Sequence, residues 1–347
     1  MIEINKIEDL LNHTNLETLN IDLSLADKKD TNLSGFGSVL STMTNLSNLQ
    51  IEQWDIQIYD KINDEGVFNI SSALLNLVKL STLELSFPQI QYFLFQLFVI
   101  HYFYKKYQNI FIFTQRESRI SDKGALDLIN NLSKLKNLTN LVLNLQSNYI
   151  SQQGAYDLCS SFNKFTDLSS LTLLIWVDDH GVNGLKIGLS KLINLKQLNL
   201  RLSNNKISDE GLNSISLVLE NLKNLEILKL DLSYNRINEK GIISLGIGFN
   251  NLSKLKILYL NLSNNKFNDQ ALSFLAINLE KLSKLQNLSL HLGMHRNVVI
   301  QHLGYTLKKL TFLYTLKIDS SFSYYFQYKY QKTNVFKLIR LVKYYFN

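Results

Sequence analysis

Around residue 228 the chain alternates apolar and polar residues. Leu228, Leu230 and Leu232 are separated by Lys229, Asp231 and Ser233, a period of two. Such alternation predicts a short strand with one buried and one wet face. Asn235 follows, a residue whose amide bonds backbone groups that have left a strand. Ile237 turns inward again. Gly241, Leu245, Phe249 and Leu252 then recur at steps of 4, 4 and 3, the stripe of an amphipathic helix.

This unit repeats. Leu225, Leu228, Leu230, Leu232, Asn235, Ile237 and Gly241 become Leu195, Leu198, Leu200, Leu202, Asn205, Ile207 and Gly211 thirty residues earlier. Thirty residues later they are Leu255, Leu258, Leu260, Leu262, Asn265 and Phe267, with Ala271 in the glycine place. Further copies start at Leu138, Leu168 and Leu285, and weaker ones at Leu16, Leu46, Leu80 and Leu313. Spacings from Leu16 are 30, 34, 58, 30, 27, 30, 30, 30 and 28, giving about ten units. One strand and one helix of this size cannot bury their own apolar faces. Stacked units bury them against one another, with strands in a parallel sheet and helices outside.

The pattern resembles the leucine-rich repeat of the ribonuclease-inhibitor-like type, found in Ran GTPase-activating proteins. It departs from Leu-x-x-Leu-x-Leu-x-x-Asn by an extra Leu-x pair, as at Leu232-Ser233, before the asparagine. The resemblance implies an α/β leucine-rich-repeat solenoid of about ten repeats, its curved parallel sheet concave and its helices convex. It further implies a non-catalytic scaffold that binds a partner protein on the concave face. A regulator of the Ran GTPase-activating type is the alternative, although no acidic tail or finger residue is identifiable.

Two segments differ from the rest. Residues 88–115 and 320–347 each hold ten of the 36 Phe and Tyr residues. Net charge is +7; residues 88–119 carry +3 of it and residues 320–347 carry +5, so the body is close to neutral. The expected organisation is a repeat domain over 1–319, interrupted by a 28-residue insertion at 88–115, then a basic aromatic tail at 320–347. The insertion would separate the strand at Leu83, Leu85 and Phe87 from the helix that begins after Ile120. Its apolar stretch, Ile90 to Tyr104, is fifteen residues, short of the roughly twenty that span a bilayer. Membrane contact by the insertion, or by the basic amphipathic stretch Val335–Lys343 of the tail, is a minor reading. A non-functional or mis-spliced repeat protein is another, since the segment's Phe, Tyr, Ile, Lys and Asn codons are AT-rich.

Catalytic chemistry is hard to find. No GxxxxGK[ST] loop, GxGxxG helix start or protein-kinase motif occurs. His291-x-x-x-His295 has metal-like spacing but no carboxylate in its unit. Asp178-Asp179-His180 suggests acid–base work, yet Asp178 lies thirty residues after Asn148 and is expected at the turn position of its repeat. Cys159, the only cysteine, follows an inward helix residue and reads as an inert thiol. The expectation is no enzyme, no cofactor and no metal. The neutral body argues against nucleic acid as a partner. The acidic start, with Glu3, Glu8 and Asp9, does not read as a secretory signal, so an intracellular, cytoplasmic setting is expected.

The wet side of the strands is the candidate surface. Val142, Asn144, Leu174, Trp176, Arg201, Lys229, Asp231, Tyr259 and Asn261 are the candidate partner-binding residues. Leu174 and Trp176 are apolar among small polar neighbours, and such anchors with a polar rim are typical of protein interfaces. The competing expectation folds Trp176 over its shortened 27-residue unit, as an internal residue.

Overall fold

A computed structural model describes residues 10, 15–22, 34–52, 64–77, 82–87, 110–115, 120–135, 138–293, 309–320 and 326–329. The chain divides into two units, Met1–Trp176 and Val177–Asn347.

The first unit holds β1 (Thr18–Asp22), α1 (Ser34–Leu40), β2 (Asn48–Glu52), α2 (Asp64–Ala73), β3 (Thr82–Phe87) and β4 (Ile110–Gln115). After these come α3 (Asp122–Leu132), β5 (Asn140–Asn144), α4 (Gln152–Ser160) and β6 (Ser170–Leu174). Its strands pair in chain order and all in parallel, Leu19 opposite Leu49 and Leu141 opposite Leu171. The second unit holds α5 (Asp179–Leu189), β7 (Gln197–Arg201), α6 (Asp209–Asn221), β8 (Ile227–Asp231), α7 (Glu239–Gly248) and β9 (Ile257–Asn261). It continues with α8 (Asp269–Leu279), β10 (Asn287–Gly293), β11 (Thr315–Ser320) and β12 (Phe326–Lys329). Here β7 to β11 pair in parallel, again in chain order. This is the α/β repeat solenoid that the periodicity predicts.

The core of each repeat is its leucines. Leu225, Leu228, Leu230, Leu232, Ile237, Ile242, Leu245 and Phe249 are all fully buried. Each such side chain contributes about 2 kcal/mol from its removal from water. The stripe is shared along the array, so no single repeat holds a core of its own.

Polar side chains lock one repeat to the next in two ladders. In the first, Asn235 Oδ1 accepts from the Ile207 backbone N–H at 3.0 Å. Its Nδ2 donates to the carbonyls of Leu202 at 2.8 Å and Leu232 at 3.0 Å. Asn265 does the same for Ile237, Leu232 and Leu262. Asn148 accepts from Ile120 and Asn205 from Val177. The second ladder runs the other way. Asp122 accepts from the Ser151 N–H at 2.7 Å and its hydroxyl at 2.5 Å. Asp179 takes the same two groups of Ser208, and Asp209 the Asn238 N–H at 2.7 Å. The recurrent glycine follows from this: a Cβ at Gly154 would strike the Asp122 carboxylate, and one at Gly211 that of Asp179.

Two features differ from the sequence reading. Within 88–115, residues 110–115 form β4, in register between β3 and β5 and 28 residues beyond β3. The end of that segment thus has the period of a repeat rather than lying wholly outside the pattern. The helix layer is built otherwise: α2 packs against α3, Asp64 accepts from the Ser121 N–H at 2.6 Å and from its hydroxyl, and Asn131 Nδ2 donates to Ser71 at 3.0 Å. The second feature is β12, which lies in the basic tail and runs antiparallel along β11. Edge strands left open invite pairing with other chains, and β12 covers that edge. Residues 88–109, and the basic stretch 335–343, lie outside the described residues.

Candidate functional site

The strand faces differ between the two units. In the first, alternation places Val142 and Asn144 on β5, and Thr172 and Leu174 on β6, on the side away from the leucine core. Val142 is half-buried, but Asn144 and Leu174 are only 2% and 7% exposed. Leu174 therefore does not present the open apolar anchor that its position suggests. Trp176 does: it is 50% exposed, while Ile175 and Val177 on either side are 1% and 5%. The expectation of an internal Trp176 is corrected accordingly.

In the second unit Arg201, Lys229, Asp231, Tyr259 and Asn261 are all half-buried on β7, β8 and β9. Strand register puts Lys229 beside Tyr259, and Asp231 between Arg201 and Asn261. The Tyr259 ring lies 5.1 Å from that of His291, and His291 Nε2 sits 3.3 Å from the Ser289 hydroxyl. Lys229 titrates below the usual lysine range, because burial strips water from its ammonium and, secondarily, because the Arg201 guanidinium repels it.

The last wet position of a strand has a local task. Asp231 Oδ1 accepts from the Ser233 N–H at 3.1 Å and its hydroxyl at 2.7 Å. Asn261 holds Ser263 in the same way, and Asn144 accepts from the Gln146 N–H at 3.2 Å. These three side chains thus tie down the turn that leaves the strand, two residues on.

Beyond that turn lies a row of residues that the sequence reading missed. Tyr149, Trp176, Lys206, Arg236 and Lys266 occupy equivalent places, one residue before the inward Ile150, Val177, Ile207, Ile237 and Phe267. All are exposed. Their backbones are held in step: the Arg236 N–H donates to the Ile207 carbonyl and the Lys266 N–H to that of Ile237, both at 2.8 Å. The row is aromatic in the first unit and basic in the second. Tyr149, Lys206, Arg236 and Lys266 each follow a ladder asparagine, and Trp176 follows Ile175 in the shortened unit; the asparagine is the signal by which sequence reading could have found the other four.

The chemistry candidates take structural places. Asp178 does not occupy the asparagine turn position; it is the N-cap of α5, its Oδ1 accepting from the Gly181 N–H at 3.1 Å. The shortened unit loses its three residues between Leu174 and Trp176, so the two helix starts, not the two turns, correspond. Asp179 belongs to the carboxylate ladder. Cys159 is fully buried, and burial pushes its thiol far above the usual range, which leaves no thiolate to act as a nucleophile. Among the described residues no group of three His, Cys, Asp or Glu side chains could hold a metal ion. No helix among them is long and apolar enough to cross a membrane.

Residues 193–216 and 223–246, which include β7 and β8, match the leucine-rich-repeat family. The chain carries leucine-rich repeats. No curated protein matches it over its sequence. Among solved structures, this leucine-rich-repeat chain is similar to the ectodomain of the Arabidopsis receptor kinase HAESA, solved with an N-terminally extended IDA peptide hormone ligand. Identity is 17% over 83% of this chain, with a TM-score of 0.40, and the chain spans 39% of that ectodomain. It is also similar to a leucine-rich-repeat protein of Leptospira interrogans, at 16% identity over 90% of this chain and 80% of that one, with a TM-score of 0.31.

Proposed function

We propose that the protein is a non-catalytic interaction module that grips a partner protein with exposed side chains held by the repeat framework. The observation that carries this reading is Trp176, half exposed between two buried neighbours. A large apolar ring fixed in that way is a typical anchor of a protein interface. The first unit offers Trp176 and Tyr149, with Val142 on the strand face; Asn144 and Leu174 are buried there, and Asn144 holds the turn at Gln146. The second offers Arg201, Lys229 and Tyr259, with Asp231 and Asn261 holding the turns. Leucine-rich-repeat proteins commonly mediate such contacts. One helix per repeat of about thirty residues favours an array of the ribonuclease-inhibitor-like type. The reading includes an intracellular setting, supported by the single cysteine being a free, buried thiol.

The test uses the full chain and its Tyr149→Asp/Trp176→Asp variant as paired baits in affinity capture, with circular dichroism to show that both are folded. A protein retained by the first and lost by the second supports the interface. The same proteins on both baits would remove the aromatic pair as its anchor.

A further inference from the structure

The strand face of the second unit has an electrostatic imbalance. Arg201 and Lys229 lie on adjacent strands, on the same side of the sheet and one alternation apart. Both are half-buried, and neither makes an ion pair or a side-chain hydrogen bond among the described residues. The nearest acid in register, Asp231, has its Oδ1 bound to both the N–H and the hydroxyl of Ser233. The strand face thus holds two cations and one carboxylate, which forms no ion pair with either of them among the described residues. Such an arrangement is unfavourable alone and becomes favourable when an anion is placed across it. The lowered titration of Lys229 is the mark of that cost.

The same three strands lead into the basic part of the exposed row. Lys206 follows β7, Arg236 follows β8 and Lys266 follows β9, and none of the three forms an ion pair among the described residues. Five cations therefore belong to three successive repeats, and Tyr259 lies in register beside one of them, Lys229.

We infer that the Arg201–Lys229 pair on the β7–β8 face, extended by Lys206, Arg236 and Lys266, is a docking site for an acidic protein segment. A partner carboxylate would bridge the pair, with the guanidinium offering two parallel N–H groups. An aliphatic or aromatic neighbour in the segment would lie on Tyr259. A peptide is favoured over a nucleic acid because the partly dehydrated recognition element is two cations beside an aromatic surface, within a body of near-zero net charge. The inference rests on the interaction reading above and names the chemistry of the partner.

The test is fluorescence anisotropy with the full chain and a fluorescein-labelled ten-residue peptide alternating glutamate and valine. The same peptide with glutamine for glutamate is the control. The acidic peptide is expected to bind, and the glutamine peptide at least tenfold more weakly. Arg201→Ala/Lys229→Met should weaken binding at least tenfold, whereas Lys229→Arg should retain it. Lys229→Met alone, which removes a disfavoured charge, should also weaken binding, and its loss of binding reports on the site rather than on unfolding. Equal binding of the two peptides, or an unaffected double variant, overturns the inference. So does a twenty-residue thymidine oligonucleotide that binds more tightly than the peptide, which would mark the surface as a nucleic-acid site. If the peptide result fails while the Trp176 baits still differ, the acidic partner falls and the interaction reading stands. If the peptide result holds while those baits agree, the inference stands and the aromatic anchor falls.

Discussion

Between residues 177 and 293 the helices begin at 179, 209, 239 and 269, and the strands at 197, 227, 257 and 287. The interval over that stretch is thirty residues. Before residue 177 the strands begin at 18, 48, 82, 110, 140 and 170, and the described helices at 34, 64, 122 and 152. There the sheet takes in an additional strand between repeats whose helices already touch. Both regions nevertheless use the same ladders, Asn148 serving Ile120 as Asn235 serves Ile207. What separates them is the exposed row, Tyr149 and Trp176 in one and Lys206, Arg236 and Lys266 in the other. The framework therefore constrains the leucines, the asparagine, the aspartate and the glycine. It leaves one outward position per repeat open to different chemistry, and there the two regions have diverged.

The shared framework should break most severely at its asparagine. Asn235→Ala would leave the Ile207 N–H unpaired in a site only 7% exposed and take one donor from the Leu202, Leu232 and Ser233 carbonyls, of which Leu232 keeps Asn265 and Ser233 keeps the Asn204 N–H. An unsatisfied buried group costs about 1–3 kcal/mol, so a loss of about 1–3 kcal/mol is expected in urea unfolding. An unchanged midpoint would show that water replaces the amide without penalty. A smaller effect, of opposite sign, is expected at Tyr234. It holds φ +57° where the other repeats place Ser147, Asn204 and Asn264. Asparagine tolerates the left-handed region better than a bulky residue. Tyr234→Asn should stabilise by about 0.5–1 kcal/mol, and a lower melting temperature would instead give the exposed ring a packing role.

Lys229→Met should raise the melting temperature slightly, by about one or two degrees. Because the folded state holds the Lys229 proton less tightly than the unfolded chain, the penalty is complete below the folded-state pKa. It fades as pH rises toward the ordinary lysine value. The advantage of the variant should therefore shrink as pH rises toward the ordinary lysine value of about 10.5, and an advantage that grows on that approach would contradict a depressed lysine. The smallest effect is expected from deleting residues 88–115, because α2 and α3 already meet through Asp64 and Ser121. Amide exchange in 64–73 and 122–132 should stay protected after the deletion. Loss of that protection would make β4 an essential part of the first region.

Most of the fold was legible, because a leucine stripe of period two followed by one near 3.6 admits few structures. The strand at 110–115 escaped because Ile-Phe-Ile-Phe-Thr-Gln contains no leucine and sits in an aromatic-rich stretch. The spacing held the clue, since the interval of 58 between Leu80 and Leu138 divides into steps of 28 and 30. The candidate surface was less legible. Alternation assigns the side of the sheet but not the exposure, so Leu174 and Asn144 were placed on the wet side without their burial being foreseen. The tasks of Asp231 and Asn261 depend on a serine two residues on, a local bond invisible to periodicity. The basic row disappeared in a net charge summed along the chain, because its three members stand thirty residues apart while their acidic neighbours cancel them.

The carboxylate ladder has a direction, and that direction matters on the ribosome. Asp122 is made before Ser151, and Asp179 before Ser208. Each completed repeat thus displays an acceptor to which the next helix start attaches as it emerges from the exit tunnel. Vectorial synthesis at about 5–20 residues per second gives each thirty-residue increment a second or more to dock. The nascent chain can therefore be assembled as a template that lengthens one rung at a time.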